Sequence, residues 1–409
     1  MIGEMIKPMR TAAALTALAL LTGAADAARA QAVDVATLAA PDAFTTAGRE
    51  TGLPATLWRG ASVATARVVL PLLTTKPLTP AGQQLARRIL ATGAPGPAGA
   101  GGDPALVAAR AGALSAVGDP KGAALLLGGA PGMGRSPELA RAAAESALLA
   151  SDDARACAVA EDLSAGRDDT YWLRLRAYCQ AVQGKTAKAQ LTFDLAQAQA
   201  RDGVYGRLMA VKLAGAGDPG PASLRNGLDF ALSRGFGLDL AAARPAPAVA
   251  AALAGGDPSP PAWDLSVLDP TLSGLAGAMA AAQPLPPAGF SALIAAAAEA
   301  DVKSRARLQG AALLSAALVG ELAPEDRSRL AAFTLAEGKA PAGRNLALED
   351  ASGRKLMGET ALLALWTLAD AGSAGPSVAD RARIVRALAQ TGLLTEARAL
   401  AVEGLLSLK

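Results

Sequence analysis

The sequence contains no histidine, and this absence removes a large part of hydrolytic enzymology. Serine and cysteine nucleophile systems rely on an imidazole base, and most zinc sites use imidazole ligands. The two cysteines are also too far apart in sequence to form a CxxC redox pair. The residues therefore predict no catalytic group, no cofactor and no metal site.

Aromatic residues are scarce at 3% of the chain, whereas alanine and leucine dominate the 52% that is hydrophobic. Alanine and leucine are strong helix formers, while strands favour β-branched and aromatic residues. The composition therefore predicts an all-α fold. No apolar run after residue 32 reaches roughly 20 residues without a charge, a proline or a glycine, so we expect no membrane-spanning segment in the mature chain.

Charge of one sign is not in excess, because 39 basic residues face 36 acidic ones for a net charge of +3. The basic residues are scattered singly or in pairs such as Arg87-Arg88. Nucleic-acid-binding proteins concentrate lysine and arginine on one face or stripe. We therefore expect no nucleic-acid partner.

Residues 1–32 have the three parts of a cleavable secretory signal. Lys7 and Arg10 form a basic start, an apolar run of roughly 13 residues follows, and small residues surround the predicted cleavage near Ala30 or Ala32. The run is shorter than the roughly 20 residues that cross a bilayer. We therefore expect a periplasmic or secreted protein.

Cys157 and Cys179 lie on either side of a predicted helical turn. We predict a helix that ends near Leu163, a turn over 164–169 and a second helix from Thr170. Antiparallel helices would place the two thiols at heights of roughly 9 and 13 Å from the turn, which is compatible with a bridge. In an oxidising compartment the simplest arrangement is a disulfide, and two buried free thiols are the alternative.

Proline and glycine divide the chain after the signal into five parts. These are an N-terminal helical segment (33–92), a Gly/Pro linker or loop (93–103), a central helical array (104–243), a proline-broken segment (244–289) and a C-terminal helical repeat region (290–409). Trp58 and Trp263 lie in the less regular parts, where we expect them to hold those segments onto the helices.

Short helices are marked out by the tripeptide Gly-Asp-Pro, in which glycine ends one helix, aspartate caps the next and proline occupies its first turn. The tripeptide occurs at 102–104, 118–120, 217–219 and 256–258. Thr79-Pro80 and Ser136-Pro137 are similar helix starts. Such regular breaks between alanine-rich segments predict stacked helical hairpins.

Two segments, 170–198 and 382–406, resemble tetratricopeptide repeats. The matching residues of the first are Trp172, Leu175, Ala177, Gly184, Ala187, Ala189, Phe193 and Ala196, and those of the second include Gly392 and Ala397. The first match requires a one-residue insertion before Gly184 and lacks the closing proline. The resemblance implies hairpins that each bury a face against the next, which gives an α-solenoid or superhelix.

The segment 129–136 is one residue away from a phosphate-binding P-loop, with Arg135 where lysine is required. Arginine does not reproduce the compact contact of lysine with the phosphates. No apolar strand ending in an aspartate follows to hold Mg²⁺. We interpret the segment as a loop before a helix capped by Ser136, and we expect no bound nucleotide.

Acidic residues are the remaining candidates for chemistry. Glu145-Ser146 resembles the Glu-Ser pair of lytic transglycosylases, but the Gly-Leu-Met-Gln segment of that family is absent. We interpret Glu145 as a solvated residue on a helix face. The pairs Asp152-Asp153, Asp168-Asp169 and Glu349-Asp350 are interpreted as residues of helix starts or loops, where carboxylates stabilise the helix dipole.

A helical-repeat fold without a complete catalytic set favours a non-enzymatic role. We expect a periplasmic scaffold or adaptor that binds protein partners in a bacterial cell envelope. The alternative is an envelope enzyme, or its accessory factor, that acts on peptidoglycan or another polysaccharide with carboxylates as its acid and base groups. Paired carboxylates and exposed aromatic residues in a groove would favour the enzyme.

Overall fold

A computed structural model of the chain describes residues 42–100, 102–254, 261–285 and 287–408. The predicted signal at 1–32 lies outside these residues. Over the described ranges the chain forms 19 α-helices and four short 3-10 segments, without a β-strand. Neighbouring helices pack in pairs, so the prediction of an all-α helical-repeat architecture is confirmed.

The helices are short, from 7 residues in Pro247–Leu253 to 15 residues in Met357–Ala371, and helices of this length depend on packing for their stability. None of those in the described ranges has the length and apolar character that a membrane crossing requires. In chain order they are α1 (Val63–Thr75), α2 (Pro80–Ala91), α3 (Pro104–Ala116), α4 (Pro120–Leu127), α5 (Pro137–Leu149), α6 (Asp153–Asp162), α7 (Thr170–Val182), α8 (Thr186–Gln199), α9 (Gly203–Ala214), α10 (Gly227–Gly235), α11 (Pro247–Leu253), α12 (Pro270–Ala280), α13 (Pro287–Glu299), α14 (Arg305–Ala316), α15 (Pro324–Ala331), α16 (Ala342–Gly353), α17 (Met357–Ala371), α18 (Val378–Gln390) and α19 (Leu394–Leu406).

Several helices begin with the predicted cap and proline. The side chains of Asp103 and Asp119 accept hydrogen bonds from backbone N–H groups in the first turns of α3 and α4. Thr79 and Ser136 cap α2 and α5 in the same way. In each case proline is the first helical residue, a position where its missing N–H costs no hydrogen bond.

The tripeptide at 217–219 does not start a helix, so that prediction is wrong. Asp218 instead accepts a hydrogen bond from the Gly220 N–H at 2.7 Å, and the next helix begins only at Gly227. Pro221 explains the difference, because proline supplies no N–H and disfavours the helical conformation of the residue before it. The tripeptide at 256–258 lies outside the described residues.

Two helical hairpins occupy the segments that resemble tetratricopeptide repeats. Helices α7 and α8 pack against each other across the turn at Gly184, and α18 and α19 do so across Gly392. Both glycines have a positive φ, at 73° and 90°, which a residue with a side chain adopts only with strain. The helix contacts are rich in alanine, as at the fully buried Ala177 and Ala397, so the backbones approach closely.

The N-terminal helices also pack against the C-terminal helices, although an open solenoid makes contacts only between neighbouring repeats. Glu359 in α17 accepts hydrogen bonds from the Ser62 N–H at 2.8 Å and from the Thr65 hydroxyl at 2.7 Å, at the start of α1. Glu403 in α19 accepts one from the Ala81 N–H of α2 at 3.0 Å. Carboxylates from one end of the chain therefore cap helices at the other end.

Trp58 fills the space inside this contact between the chain ends. Its side chain is buried and makes an edge-to-face contact with Phe44, with ring centroids 5.9 Å apart. The neighbouring Leu57 carbonyl accepts a hydrogen bond from the Gly358 N–H at 2.9 Å. Trp58 therefore holds the irregular N-terminal segment onto α17, while Trp263 is only half-buried against the core.

Arg110 in α3 is a fully buried cation that ties the first described residues to the helices. Its guanidinium donates hydrogen bonds to the carbonyl oxygens of Phe44, Leu90 and Thr92 at 3.0, 2.9 and 2.6 Å. The same group lies 4.9 Å from the centre of the Phe44 ring. Backbone carbonyls and one aromatic ring therefore supply the polar surroundings that this buried charge requires.

Candidate functional site

A disulfide between Cys157 and Cys179 joins α6 to α7. Helix α6 ends at Asp162 and α7 begins at Thr170, as the positions of the turn residues predict. The two Cα atoms are 5.4 Å apart, which is an ordinary separation for bridged cysteines. The bridge holds α6 beside α7, so that side chains of both helices line one depression of the surface.

Helix α8 packs on α7 but leaves most of its own surface in water. Its buried residues are only Ala189 and Ala196. Leu191 is 72% exposed and Leu195 is 55% exposed, and their spacing of four residues puts them on one face of the helix. We call these two residues the α8 stripe.

A depression beside the α8 stripe carries most of the local positive charge, and we call it the basic cleft. Its volume is about 50 Å³, enough for a group the size of a carboxylate. Its lining consists of the disulfide, Ala160, Glu161, Arg167, Arg176, Gln180, Gln183, Lys185 and Lys188. Four cations therefore share the cleft with a single acidic side chain.

The cations of the basic cleft form no ion pair with a carboxylate among the described residues. Partial burial and the positive charge of Arg167 lower the pKa of Arg176, while Glu161 raises it. Arg167 donates to the backbone carbonyls of Glu161 and Leu163 rather than to a carboxylate. Among the described residues, the Arg176 side chain has no carboxylate within ion-pair distance, and the same holds for both cleft lysines, so the local field stays positive.

Two arginines that line larger cavities elsewhere are paired with carboxylates. Arg88 binds Glu396 at 2.7 Å at a cavity of about 350 Å³ between α2 and α19. Arg344 binds Asp370 at 2.7 Å at a cavity of about 330 Å³ near the start of α18. Those cations serve the packing of the chain, whereas the cations of the basic cleft face solvent without such partners.

The interpretation of Glu145 as a solvated residue is wrong, because its carboxylate is buried. Its Oε2 accepts a hydrogen bond from the Gly227 N–H at 2.8 Å and thereby caps α10, while Oε1 faces the buried Tyr171 hydroxyl. Burial raises the pKa of Glu145, and the Gly227 N–H opposes that shift. No local pattern could indicate this environment, because α10 lies 82 residues further along the chain.

The acidic pairs have mixed outcomes. Asp152 and Asp169 cap α6 and α7 as predicted. Asp153 additionally binds Arg234 of α10 at 2.7 Å. The pair Glu349-Asp350 was wrongly placed at a helix start or loop, because α16 continues through both residues to Gly353.

The loop that resembles a P-loop forms a 3-10 segment, Met133–Arg135, before α5. Its last residue precedes Ser136, whose hydroxyl accepts a hydrogen bond from the Leu139 N–H as the cap of α5. In the ranges that the structure describes, no three histidine, cysteine, aspartate or glutamate side chains are grouped as metal ligands would be.

The basic cleft was not recognised from the sequence, because its cations come from a loop and from two helices. Only the spacing of Lys185 and Lys188 beside Leu191 is visible in the sequence itself. Apolar residues at this spacing ordinarily mark the buried face of a helix. The packing of α8 on α7 decides that Leu191 and Leu195 lie outside instead. No protein-family model, no curated protein and no solved structure matches this chain, so its description as an all-α helical-repeat protein rests on its own helices.

Proposed function

We propose that this chain is an exported helical-repeat protein that acts as a protein-binding scaffold or adaptor in the bacterial cell envelope. The observation that carries the proposal is the α8 stripe, where Leu191 and Leu195 are mostly exposed on a helical hairpin. Apolar side chains that lie together on one exposed face favour contact with a partner, because the contact removes them from water. A helix that lies against this face would bury both side chains.

The hairpin formed by α7 and α8 supports this role by its resemblance to a tetratricopeptide repeat. Trp172, Leu175 and Ala177 are buried, as the resemblance implies for its first helix. Ala189 and Ala196 are the buried positions of its second helix. A rigid hairpin of this kind presents side chains to a partner without losing much conformational entropy on binding.

Export is the second component of the proposal. It rests on the signal-like residues 1–32 and agrees with the Cys157–Cys179 disulfide, since disulfides persist in oxidising compartments. Mass spectrometry of the protein purified from the periplasmic fraction should find a new N-terminus at Gln31 or Val33, as expected for cleavage directly after Ala30 or Ala32. A full-length protein recovered only from the cytoplasm would contradict export.

Binding is tested by placing a photo-crosslinking amino acid at position 191 of the exported chain in its native envelope. We expect a discrete crosslinked protein at this position and none at position 346, since Leu346 is 68% exposed on α16 and serves as a matched control. The variant Leu195→Asp should abolish the crosslink at position 191. The same adduct at both positions, or release of muropeptides by the purified protein, would contradict the scaffold role.

A further inference from the structure

The start of α8 is electrostatically unlike a stable helix end. Lys185 is the residue before the helix, Lys188 lies in its first turn, and this turn has no acidic residue and no side-chain cap. A helix N-terminus carries a partial positive charge, so two lysines here are repelled by it. These two lysines therefore contribute little to the stability of the helix, and their charge attracts an anion from another molecule.

Gln180 adds an uncharged hydrogen-bond donor to the basic cleft. Its side chain is more than nine-tenths buried and lines the cleft. Its Oε1 accepts a hydrogen bond from the Thr192 hydroxyl at 2.9 Å, while its Nε2 donates to no group among the described residues. The Gln180 amide is therefore held in place and keeps a free N–H donor beside the partly buried Arg176. This pair of donors suits an oxygen acceptor that carries negative charge.

We infer that the basic cleft binds a carboxylate side chain, and that the occupant of this surface is an acidic amphipathic helix of a partner protein. This inference rests on the proposed scaffold function and names the chemistry of the partner. The carboxylate would accept hydrogen bonds from Arg176 and Gln180, and the lysines at the start of α8 would neutralise further acidic residues.

The geometry matches such a helix because Lys188 lines the basic cleft and also belongs to the face of α8 that carries the α8 stripe. Lys188, Leu191 and Leu195 follow at spacings of three and four residues and so share one face of α8. At 1.5 Å per residue, the leucines lie about 5 and 10 Å along the helix from Lys188. A partner helix with a glutamate followed by leucines at the same spacings places its charge in the cleft and its apolar side chains on the stripe.

Charge and size favour one acidic segment over an extended polyanion. The cleft admits a group of about 50 Å³, and the face of α8 that carries Lys188 continues with the exposed Leu191 and Leu195. A membrane surface or an anionic polymer gains affinity from many cations on one face. The four cations here line one small cleft, and the same face of α8 continues with leucine, which suits a single amphipathic segment.

The test uses the full mature chain and a synthetic amphipathic helix of about 15 residues with glutamate and leucine at helical spacing. A control peptide has the same sequence with glutamine in place of every glutamate. Fluorescence anisotropy should show the glutamate peptide binding about tenfold more tightly than the glutamine peptide, because its carboxylates form charge-assisted hydrogen bonds. Equal affinities for the two peptides would overturn the inference.

Two substitutions in the basic cleft test whether the preference for the glutamate peptide arises there. Arg176→Gln and Lys188→Gln should each remove most of the tenfold preference for the glutamate peptide, whereas Lys303→Gln, at an exposed lysine before α14, should leave it unchanged. A preference that persists in both cleft variants contradicts the inference. Tighter binding to vesicles of anionic lipid than to the glutamate peptide contradicts it as well.

The crosslink at position 191 separates this inference from the scaffold proposal. A partner that is still captured by the Arg176→Gln and Lys188→Gln proteins leaves the scaffold role intact and rejects the acidic partner. Capture that is lost in both variants but kept in Lys303→Gln supports the two proposals together. Absence of any specific adduct in the unmodified protein rejects the scaffold role itself.

Discussion

Arg110 and Glu145 are buried charges that the fold accommodates in different ways. Burial lowers the pKa of Arg110 to about 9, and the Asp42 carboxylate opposes that shift, so the guanidinium is charged at neutral pH. Its donors are matched by three backbone carbonyls on two segments of chain. Glu145 has the Gly227 N–H for one oxygen, and burial raises its pKa. Arg110 therefore has well-matched hydrogen-bond partners, whereas Glu145 has only partly matched ones.

Replacing Arg110 with lysine should destabilise the protein by about 3 kcal/mol, because an ammonium cannot span carbonyls that a planar guanidinium reaches together. Urea unfolding at neutral pH measures this loss. Arg59→Lys, at an exposed arginine outside the helices, should change the free energy of unfolding by less than about 0.5 kcal/mol. Similar small effects for both variants would show that the carbonyl contacts of Arg110 contribute little.

The variant Glu145→Gln should be more stable than the unmodified protein, and this advantage in the free energy of unfolding should grow as pH rises. The folded state holds the Glu145 pKa above its ordinary value of 4.5, so ionisation costs stability between 4.5 and that raised pKa and keeps this cost at higher pH. Glutamine does not ionise and still accepts the Gly227 hydrogen bond.

Urea unfolding at pH 8 and at pH 4.5 tests this dependence. The advantage of Glu145→Gln should be present at pH 8 and should shrink towards pH 4.5, because the raised pKa lets folded Glu145 take up a proton as pH falls. Glu349→Gln, at an exposed glutamate of α16, should show no such dependence. An advantage that grows as pH falls would have the wrong sign for a raised pKa.

At the scale of the element, the hairpin of α6 and α7 combines local and covalent constraints. Asp152 and Asp169 cap its two helices, and the disulfide joins residues 22 positions apart in sequence. The caps define where each helix begins, and the bridge keeps one helix beside the other. Because Cys157 and Cys179 line the basic cleft, the same bridge also supports the proposed binding surface.

Removing the disulfide with Cys157→Ala and Cys179→Ala should lower the free energy of unfolding by about 3 kcal/mol, since the open loop gives the unfolded chain more freedom. Urea unfolding in the absence of reductant measures the difference. A reducing agent should destabilise the unmodified protein by a similar amount and leave the double variant unchanged. If the reductant affects both proteins equally, it acts on something other than this bridge.

At the scale of the whole molecule, the contact between N-terminal and C-terminal helices distinguishes this chain from an open stack of repeats. Its polar contacts include carboxylates on α17 and α19 that cap α1 and α2, and its apolar centre is Trp58. Backbone N–H groups at each end of the chain therefore have their hydrogen-bond acceptors at the other end. Loss of one end should expose backbone groups in the other.

Glu359→Ala should destabilise the protein by about 2 kcal/mol, because the Ser62 N–H loses its acceptor. Hydrogen exchange should accelerate in α1, although the substitution is in α17, and should change little in the α7–α8 hairpin. Glu337→Ala, at an exposed loop residue, is the control and should leave hydrogen exchange in α1, α7 and α8 unchanged. Unchanged exchange in α1 would mean that the two ends are not coupled through Glu359.

Features that depend on residues close together along the chain follow from the order of the amino acids alone. The helix starts at Asp103 and Asp119 follow from a cap and a proline within one turn, and the bridge between α6 and α7 follows from two cysteines around one short turn. The limits of such inference appear already at 217–219, where the following Pro221 outweighs the same tripeptide. Local rules of this kind predict helices and hairpins but not which of their faces meet.

Burial and the pairing of distant charges, in contrast, arise only when the helices pack in three dimensions. Glu145 is a buried cap because α10 packs on α5, and Glu359 is the acceptor for Ser62 across 297 positions of sequence. Leu191 and Leu195 have the spacing of core residues and are nevertheless exposed. The physical reason is the same in each case: a side chain's environment is set by whichever helix packs beside it, and alanine-rich helices offer many faces of nearly equal hydrophobicity from which sequence alone cannot select.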